Sequence, residues 1–152
     1  MIKVIMHGCN GKMGQVITGI IAEDADVEIV AGVDASNHIQ NTYPVFSNIA
    51  DCNVEADVVI DFCAAAAVDG LLNYCVEKKL PCVLCTTGLS ETQIAAVEEA
   101  SKKTAILRSA NMSLGVNMLL KILKEAAGIL APAGFDIEIV EKHHNQKVDA
   151  PS

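Results

Sequence analysis

Short apolar runs and longer segments of helical period take turns along most of the chain. Residues 2–7 predict a strand, and 11–23 a helix with Met13, Val16, Ile17, Ile20 and Ile21 on one stripe. Val27–Val33 predicts a second strand, ending at Asp34, before a polar loop through Asn37, Asn41 and Pro44. A third strand is expected over 57–62, a helix over 65–78 closed by Lys78 and Lys79, and a fourth strand over 81–85. Ser90 followed three residues later by Gln93 is the spacing of a capping box and opens another helix. A fifth strand over 104–108 and a helix over 113–127, carrying Leu114, Leu119, Leu120 and Leu123, complete the series. Strands alternating with helices demand right-handed crossovers. The expected fold is therefore α/β, a doubly wound parallel sheet of the Rossmann dinucleotide-binding kind.

The pattern changes near residue 130. Pro132 and Gly134 interrupt the chain, and Phe135-Asp136-Ile137-Glu138-Ile139 alternates with period two, as a half-exposed strand of another sheet does. Residues 1–130 are read as a dinucleotide-binding domain, and 131–152 as the start of a second, α+β substrate-binding and oligomerisation domain.

Composition narrows the function classes. The 152 residues are 51% hydrophobic but only 3% aromatic, so a packed core of Ile, Val, Leu, Ala and Met is available and disorder is excluded. A formal net charge of −8 argues against general nucleic-acid binding, which rests on clustered cations. No window reaches the roughly 18 apolar residues that a membrane span needs. The six cysteines lie mostly in or beside apolar runs, where a thiol behaves as a small hydrophobe, and the opening run is too short for a signal peptide. A reduced, cytoplasmic setting is expected.

The first strand runs into Gly8-Cys9-Asn10-Gly11-Lys12-Met13-Gly14, which opens the first helix. Glycines permit a tight turn and let the backbone approach a pyrophosphate at the helix N-terminus, where Lys12 adds a cation. Asp34 stands 20 residues beyond Gly14 at the end of the second strand, the context that the dinucleotide fingerprint requires. Its carboxylate suits ribose hydroxyls and opposes a 2′-phosphate, and Ala35, Ser36, Asn37 and His38 offer no Arg. NADH is favoured over NADPH.

Ligands of such sheets lie beyond the carboxyl ends of the strands. Thr86, Thr87 and Asn111 fall there and can offer hydrogen bonds to a nicotinamide or its ribose, or serve only as loop and cap residues. Cys82-x-x-Cys85 sits in an apolar strand and reads as structural rather than as a redox or zinc pair. The stretch Lys142-His143-His144-Asn145-Gln146-Lys147-Val148-Asp149 concentrates positive charge in an acidic chain. It is either a solvated loop or a small-anion site in which one His donates a proton and Lys147 pairs with a carboxylate or donates one. Too few ligands at suitable spacing are present for zinc, and no metal is expected.

Together these pieces resemble the 4-hydroxy-tetrahydrodipicolinate reductase (dihydrodipicolinate reductase) family of the diaminopimelate route to lysine. The resemblance is carried by the glycine turn, Asp61-Phe62, Thr86-Thr87-Gly88, Ser109-Ala110-Asn111 with Gly115-Val116-Asn117, and above all Glu141-x-His143-His144-x-x-Lys147-x-Asp149-Ala150-Pro151-Ser152. It implies hydride transfer from NAD(P)H to a small cyclic dicarboxylate. It also implies that His143 is the acid/base, Lys147 the proton donor and His144 a substrate-carboxylate ligand. Gly8, Cys9, Asn10, Gly11, Lys12, Met13, Asp34, Cys85, Thr86, Thr87, Ser109, Ala110, Asn111 and Met112 would hold the cofactor.

The sequence departs from the family in having Lys12 where Arg is usual, Cys85 where Gly is frequent, and Ala64, Ala65 and Ala66 in a loop that is usually polar. The family continues past Pro-Ser into Gly-Thr and the rest of a substrate sheet. The expectation is thus a shortened form with impaired turnover, an unpaired strand over 135–141, and doubtful assembly of the family's homotetramer. Other readings are a non-catalytic dinucleotide sensor, which has no need of the histidine cluster, and a homoserine-type dehydrogenase, which would lack it.

Overall fold

The computed structural model describes residues 1–140 and 142. It divides into two compact units, one of Met1–Ala110 and a second from Asn111 onward. The division expected from the sequence, after residue 130, differs from this one in where it assigns the last helix.

In the first unit six strands form one parallel sheet: β1 (Ile2–His7), β2 (Val27–Val33), β3 (Val45–Phe46), β4 (Val58–Asp61), β5 (Cys82–Leu84) and β6 (Ile106–Arg108). Their order is β3-β2-β1-β4-β5-β6, and every pairing is parallel. Helices α1 (Lys12–Ala22), α2 (Val68–Lys78) and α3 (Glu91–Ser101) provide crossovers between them. Residues alternate across the pleat, so Ile5 of β1 joins one core with Val59, Leu71, Leu72, Leu84 and Val97. Met6, its neighbour, faces the other way into a smaller core with Cys9 and Tyr43, against which Ile17 and Ile60 pack. Both faces are therefore covered, which is why the central strands read as continuous apolar runs. Chain direction across the sheet reverses between β1 and β4, the switch point beside which ligands of such folds lie.

Local signals held where their chemistry is self-contained. Ser90 and Gln93 form the reciprocal capping box at the start of α3. Lys79 ends α2 in the left-handed conformation at φ 51°. Three details differ from the sequence reading. The loop after β2 contains the two-residue strand β3, too short to show a period of its own. The expected stripe of α1 is only partly inward: Ile17 and Ile21 are half-buried, while Val16 is 53% and Ile20 63% exposed. The helix approaches the sheet instead through the buried Gly14 and through Thr18, whose hydroxyl pairs with that of Tyr43 at 2.9 Å. The third difference concerns residues 135–139, described below.

The second unit carries α4 (Leu114–Leu130), capped by the Ser113 hydroxyl, which accepts the Val116 N–H. None of the side chains of α4 is buried, and Leu114 is 86% exposed. The helix ends in a turn with Gly134 at φ 87°. Residues 135–139 are not a strand, and Phe135, Ile137 and Ile139 are exposed. Alternation alone does not make a strand, because its backbone groups need a partner to bond. Among the described residues no helix is long and apolar enough to cross a membrane.

Candidate functional site

The turn after β1 is forced by close backbone packing. Gly8 has φ 82°, and a Cβ there would stand 2.7 Å from the Phe62 carbonyl oxygen. A Cβ on Gly14 would fall 2.2 Å from the Gly8 carbonyl oxygen and 2.7 Å from Cys9 Cα. Glycine at these positions lets the first turn of α1 lie directly on the loop, with the Gly11 N–H bonded to the Gly8 carbonyl at 3.1 Å. Gly8, Cys9 and Asn10 are buried, while Gly11, Lys12 and Met13 are exposed at the tip. The helix cap is Gly11, which has no side chain to bond, and the first turn holds no acid. The opening N–H groups of α1 and the Lys12 ammonium thus make an electropositive cradle suited to a diphosphate.

Asp34 is tied to that cradle. Its Oδ2 accepts the Asn10 N–H at 2.9 Å and its Oδ1 accepts the Ser36 N–H at 2.9 Å. Asn10 bonds through its own amide to the Ser36 carbonyl and accepts from Asn41 at 2.8 Å. Gln15 donates to the Cys9 carbonyl at 2.9 Å and to Asn41 at 3.1 Å. This amide lattice locks the glycine turn to the loop after β2. Each oxygen of Asp34 spends one lone pair inside the lattice and keeps another for hydroxyl donors outside it. Asn41 and Gln15 were not candidates from sequence, since isolated amides carry no spacing signal.

The remaining loops extend the strand ladders at the same end of the sheet. The Cys85 N–H bonds to the Asp61 carbonyl at 3.0 Å, and the Ser109 N–H to the Leu84 carbonyl at 3.1 Å. Cys85 and Thr86 are buried, Ser109 is half-buried, and Thr87 and Ala110 are exposed. Gly8 through Met13, Asp34, Cys85, Thr86, Thr87, Ser109 and Ala110 therefore gather at the carboxyl ends of β1, β2, β5 and β6. Asn111 and Met112 open the second unit, where Asn111 accepts the Ser113 N–H at 2.8 Å. His143, His144 and Lys147 lie outside the described residues.

Burial pushes the Cys9 thiol up to about 11, with the Asp34 charge adding to it. Burial and the Asp61 charge do the same to Cys85, also to about 11. Cys82 is likewise driven up, first by its hydrogen bond with Cys75 and then by burial. These thiols stay protonated near neutrality, which agrees with a structural role for Cys82 and Cys85.

Sequence reasoning passed over His7, and it gave Asp61 no role. Both are polar residues closing largely apolar strands, at the end of the sheet where ligands lie; that is the available signal.

Comparison with known proteins gives a consistent result. The family model for the N-terminus of dihydrodipicolinate reductase matches residues 2–112, and that for its C-terminus matches 115–152. The 4-hydroxy-tetrahydrodipicolinate reductase of Caldanaerobacter subterraneus subsp. tengcongensis is 53% identical over 152 residues, which are 100% of this chain and 59% of that protein. Its counterpart from Clostridium tetani is 51% identical, with the same coverage of 100% and 59%. The chain thus spans about 59% of the length of these curated relatives. Among solved structures, the dipicolinate-bound dihydrodipicolinate reductase from Paenisporosarcina sp. TG-14 aligns with a TM-score of 0.80 at 28% identity, covering 100% of this chain and 62% of that one.

Proposed function

Because this chain belongs to the dihydrodipicolinate reductase family, we propose that it provides the dinucleotide site of a reductase converting 4-hydroxy-tetrahydrodipicolinate to tetrahydrodipicolinate in diaminopimelate and lysine biosynthesis. The observation that carries the reading is the joint between the glycine turn and Asp34, made by the Asn10 N–H at 2.9 Å. A turn that requires glycine at positions 8 and 14 and a carboxylate fixed beside it fit a dinucleotide's diphosphate and adenosine ribose.

When bound, the reduced nicotinamide supplies the hydride. The chain's residues do the rest. The opening N–H groups of α1 and Lys12 hold the diphosphate, and Asp34 takes the ribose hydroxyls. Its negative charge disfavours a 2′-phosphate, so NADH is the preferred donor. Thr87, Ser109 and Ala110, with the loop of Cys85 and Thr86, bound the nicotinamide side.

Loss of the 4-hydroxyl with a ring proton as water leaves the double bond that is reduced; His144 binds a substrate carboxylate, Lys147 donates the proton that completes reduction, and His143 acts as acid/base. A dianionic substrate favours this cationic cluster within a chain of net charge −8. The dipicolinate bound to the Paenisporosarcina protein supports a cyclic dicarboxylate as the substrate class. In this reading residues 1–130 serve the nucleotide, and 131–152 open a substrate-binding and oligomerisation domain of a cytoplasmic homotetramer.

The test is turnover in a protein of the relatives' length that contains this sequence. It should oxidise NADH only when the cyclic dicarboxylate is present, and Lys147→Ala should lower kcat by roughly 10²–10⁴-fold. Unchanged kcat in Lys147→Ala would contradict the proton-donor assignment.

A further inference from the structure

Three polar side chains meet inside the protein at the carboxyl ends of neighbouring strands. His7 ends β1, Asp61 ends β4 opposite it in register, and Thr86 lies two residues past β5. His7 Nδ1 is 2.6 Å from Asp61 Oδ1, and the Cys63 N–H donates to the same oxygen at 3.2 Å. The Thr86 hydroxyl donates to Asp61 Oδ2 at 2.5 Å and lies 3.0 Å from the Cys63 carbonyl oxygen. Asp61 is 0% exposed, and His7 and Thr86 are each 4% exposed.

Packing does not require this arrangement. The cores on the two faces of the sheet are otherwise Val, Ile, Leu, Ala, Met, Cys and Tyr, and apolar side chains would fill the same space without desolvating a carboxyl group. Both Asp61 oxygens are satisfied, so the network is complete rather than strained. It also crosses the fold at a particular place. Asp34 stands at the end of β2, on one side of the glycine turn, whereas Asp61 and Thr86 lie on the other side, toward β4 and β5. A dinucleotide with its adenosine ribose at Asp34 and its diphosphate at the turn extends its second half over this network.

We propose that His7 and Asp61 are positioning residues for the nicotinamide end of the site. They hold the Thr86 hydroxyl inward and so fix the 85–88 loop and the turn at Phe62 and Cys63 against Gly8. This rests on the dinucleotide reading. With its hydroxyl committed to Asp61, Thr86 serves a ligand through the loop backbone it anchors, and Thr87 is left as the exposed hydroxyl. Backbone donors and acceptors cannot rotate to meet a ligand, so where the loop sits determines how well it binds.

The experiment compares NADH with ADP, which lacks the nicotinamide half, by calorimetric titration of the chain and four variants. His7→Leu removes the donor, whereas His7→Asn keeps an N–H at the position of Nδ1. Thr86→Val and Thr86→Ser make the same contrast at the other end of the network. His7→Leu and Thr86→Val should weaken NADH by about tenfold, the effect of losing one buried positioning bond, and leave ADP nearly unchanged. His7→Asn and Thr86→Ser should restore NADH affinity.

Wild-type NADH affinity in His7→Leu, equal losses for NADH and ADP, or no rescue by the conservative variants would overturn the assignment. Should His7→Leu not fold, the Thr86 pair decides. If the unaltered chain binds neither nucleotide, the dinucleotide reading itself fails. A nitrogen-15 spectrum of the nucleotide-free chain reads the network independently. A proton on His7 Nδ1 is expected, and a bare Nδ1 would overturn the donor role.

Discussion

A single methyl group is the sharpest probe of the glycine turn. Gly14→Ala would drive a Cβ into backbone atoms 2.2 and 2.7 Å away, and backbone cannot swing aside as a side-chain end can. The variant should lose nucleotide binding and about 1–3 kcal/mol of stability, the cost of an overpacked core. Calorimetry and urea unfolding check both, and an alanine that binds NADH normally would show the contact to be unnecessary. Asp34→Asn keeps an acceptor but removes the charge, so the preference for NADH over NADPH should narrow, as competitive titration would reveal. The glycines and Asp34 could be read from the sequence because a diphosphate and a ribose impose a spacing on them. His7, Asn41 and Gln15 could not, since their partners are 54, 31 and 26 residues distant and only the folded sheet and loops bring them together.

Among the elements, those with local chemistry were foreseen and those defined by partners were not. The α3 start is set by Ser90 and Gln93 within one four-residue span. Ser90→Ala should cost about 1 kcal/mol, measured as a lowered urea midpoint at unchanged slope, and a neutral substitution would mean that the cap bond contributes nothing. By contrast β3 exists because the Gly32 N–H bonds to the Pro44 carbonyl at 2.9 Å and the Asp34 N–H to the Phe46 carbonyl at 3.0 Å. Two residues carry no period. The inverse case is 135–139, where the period is clear but no strand forms among the described residues. In α1 the apolar stripe over-predicted burial, because Gly14 brings the helix close along a different line, through Thr18 and Tyr43.

At the scale of the whole molecule, burial holds the protons of several thiols and of both phenols. Cys9 and Cys85 are raised to about 11 from 9.0, Tyr74 to about 12 from 10.0, and Cys63 and Tyr43 rise in the same direction, burial being the first cause in each. The unfolded chain gives up these protons at lower pH than the folded one. Their contribution to stability is thus complete below about pH 9 and declines as the pH rises from 9 toward 11. Under reducing conditions the urea midpoint should fall across that interval, and a flat midpoint would contradict the account. The fold class followed from the alternation of strands and helices; a change of unit was expected after residue 130, whereas the compact units divide after Ala110, because α4 has the same helical period as its predecessors and only contacts assign it.

The measurement closest to the central claim is calorimetric titration of NADH and NADPH into the 152-residue chain and into Gly14→Ala. The account predicts saturable binding of one NADH per chain, weaker binding of NADPH, and loss of both in the variant. Absence of NADH binding, or binding that survives the blocked turn, would contradict it.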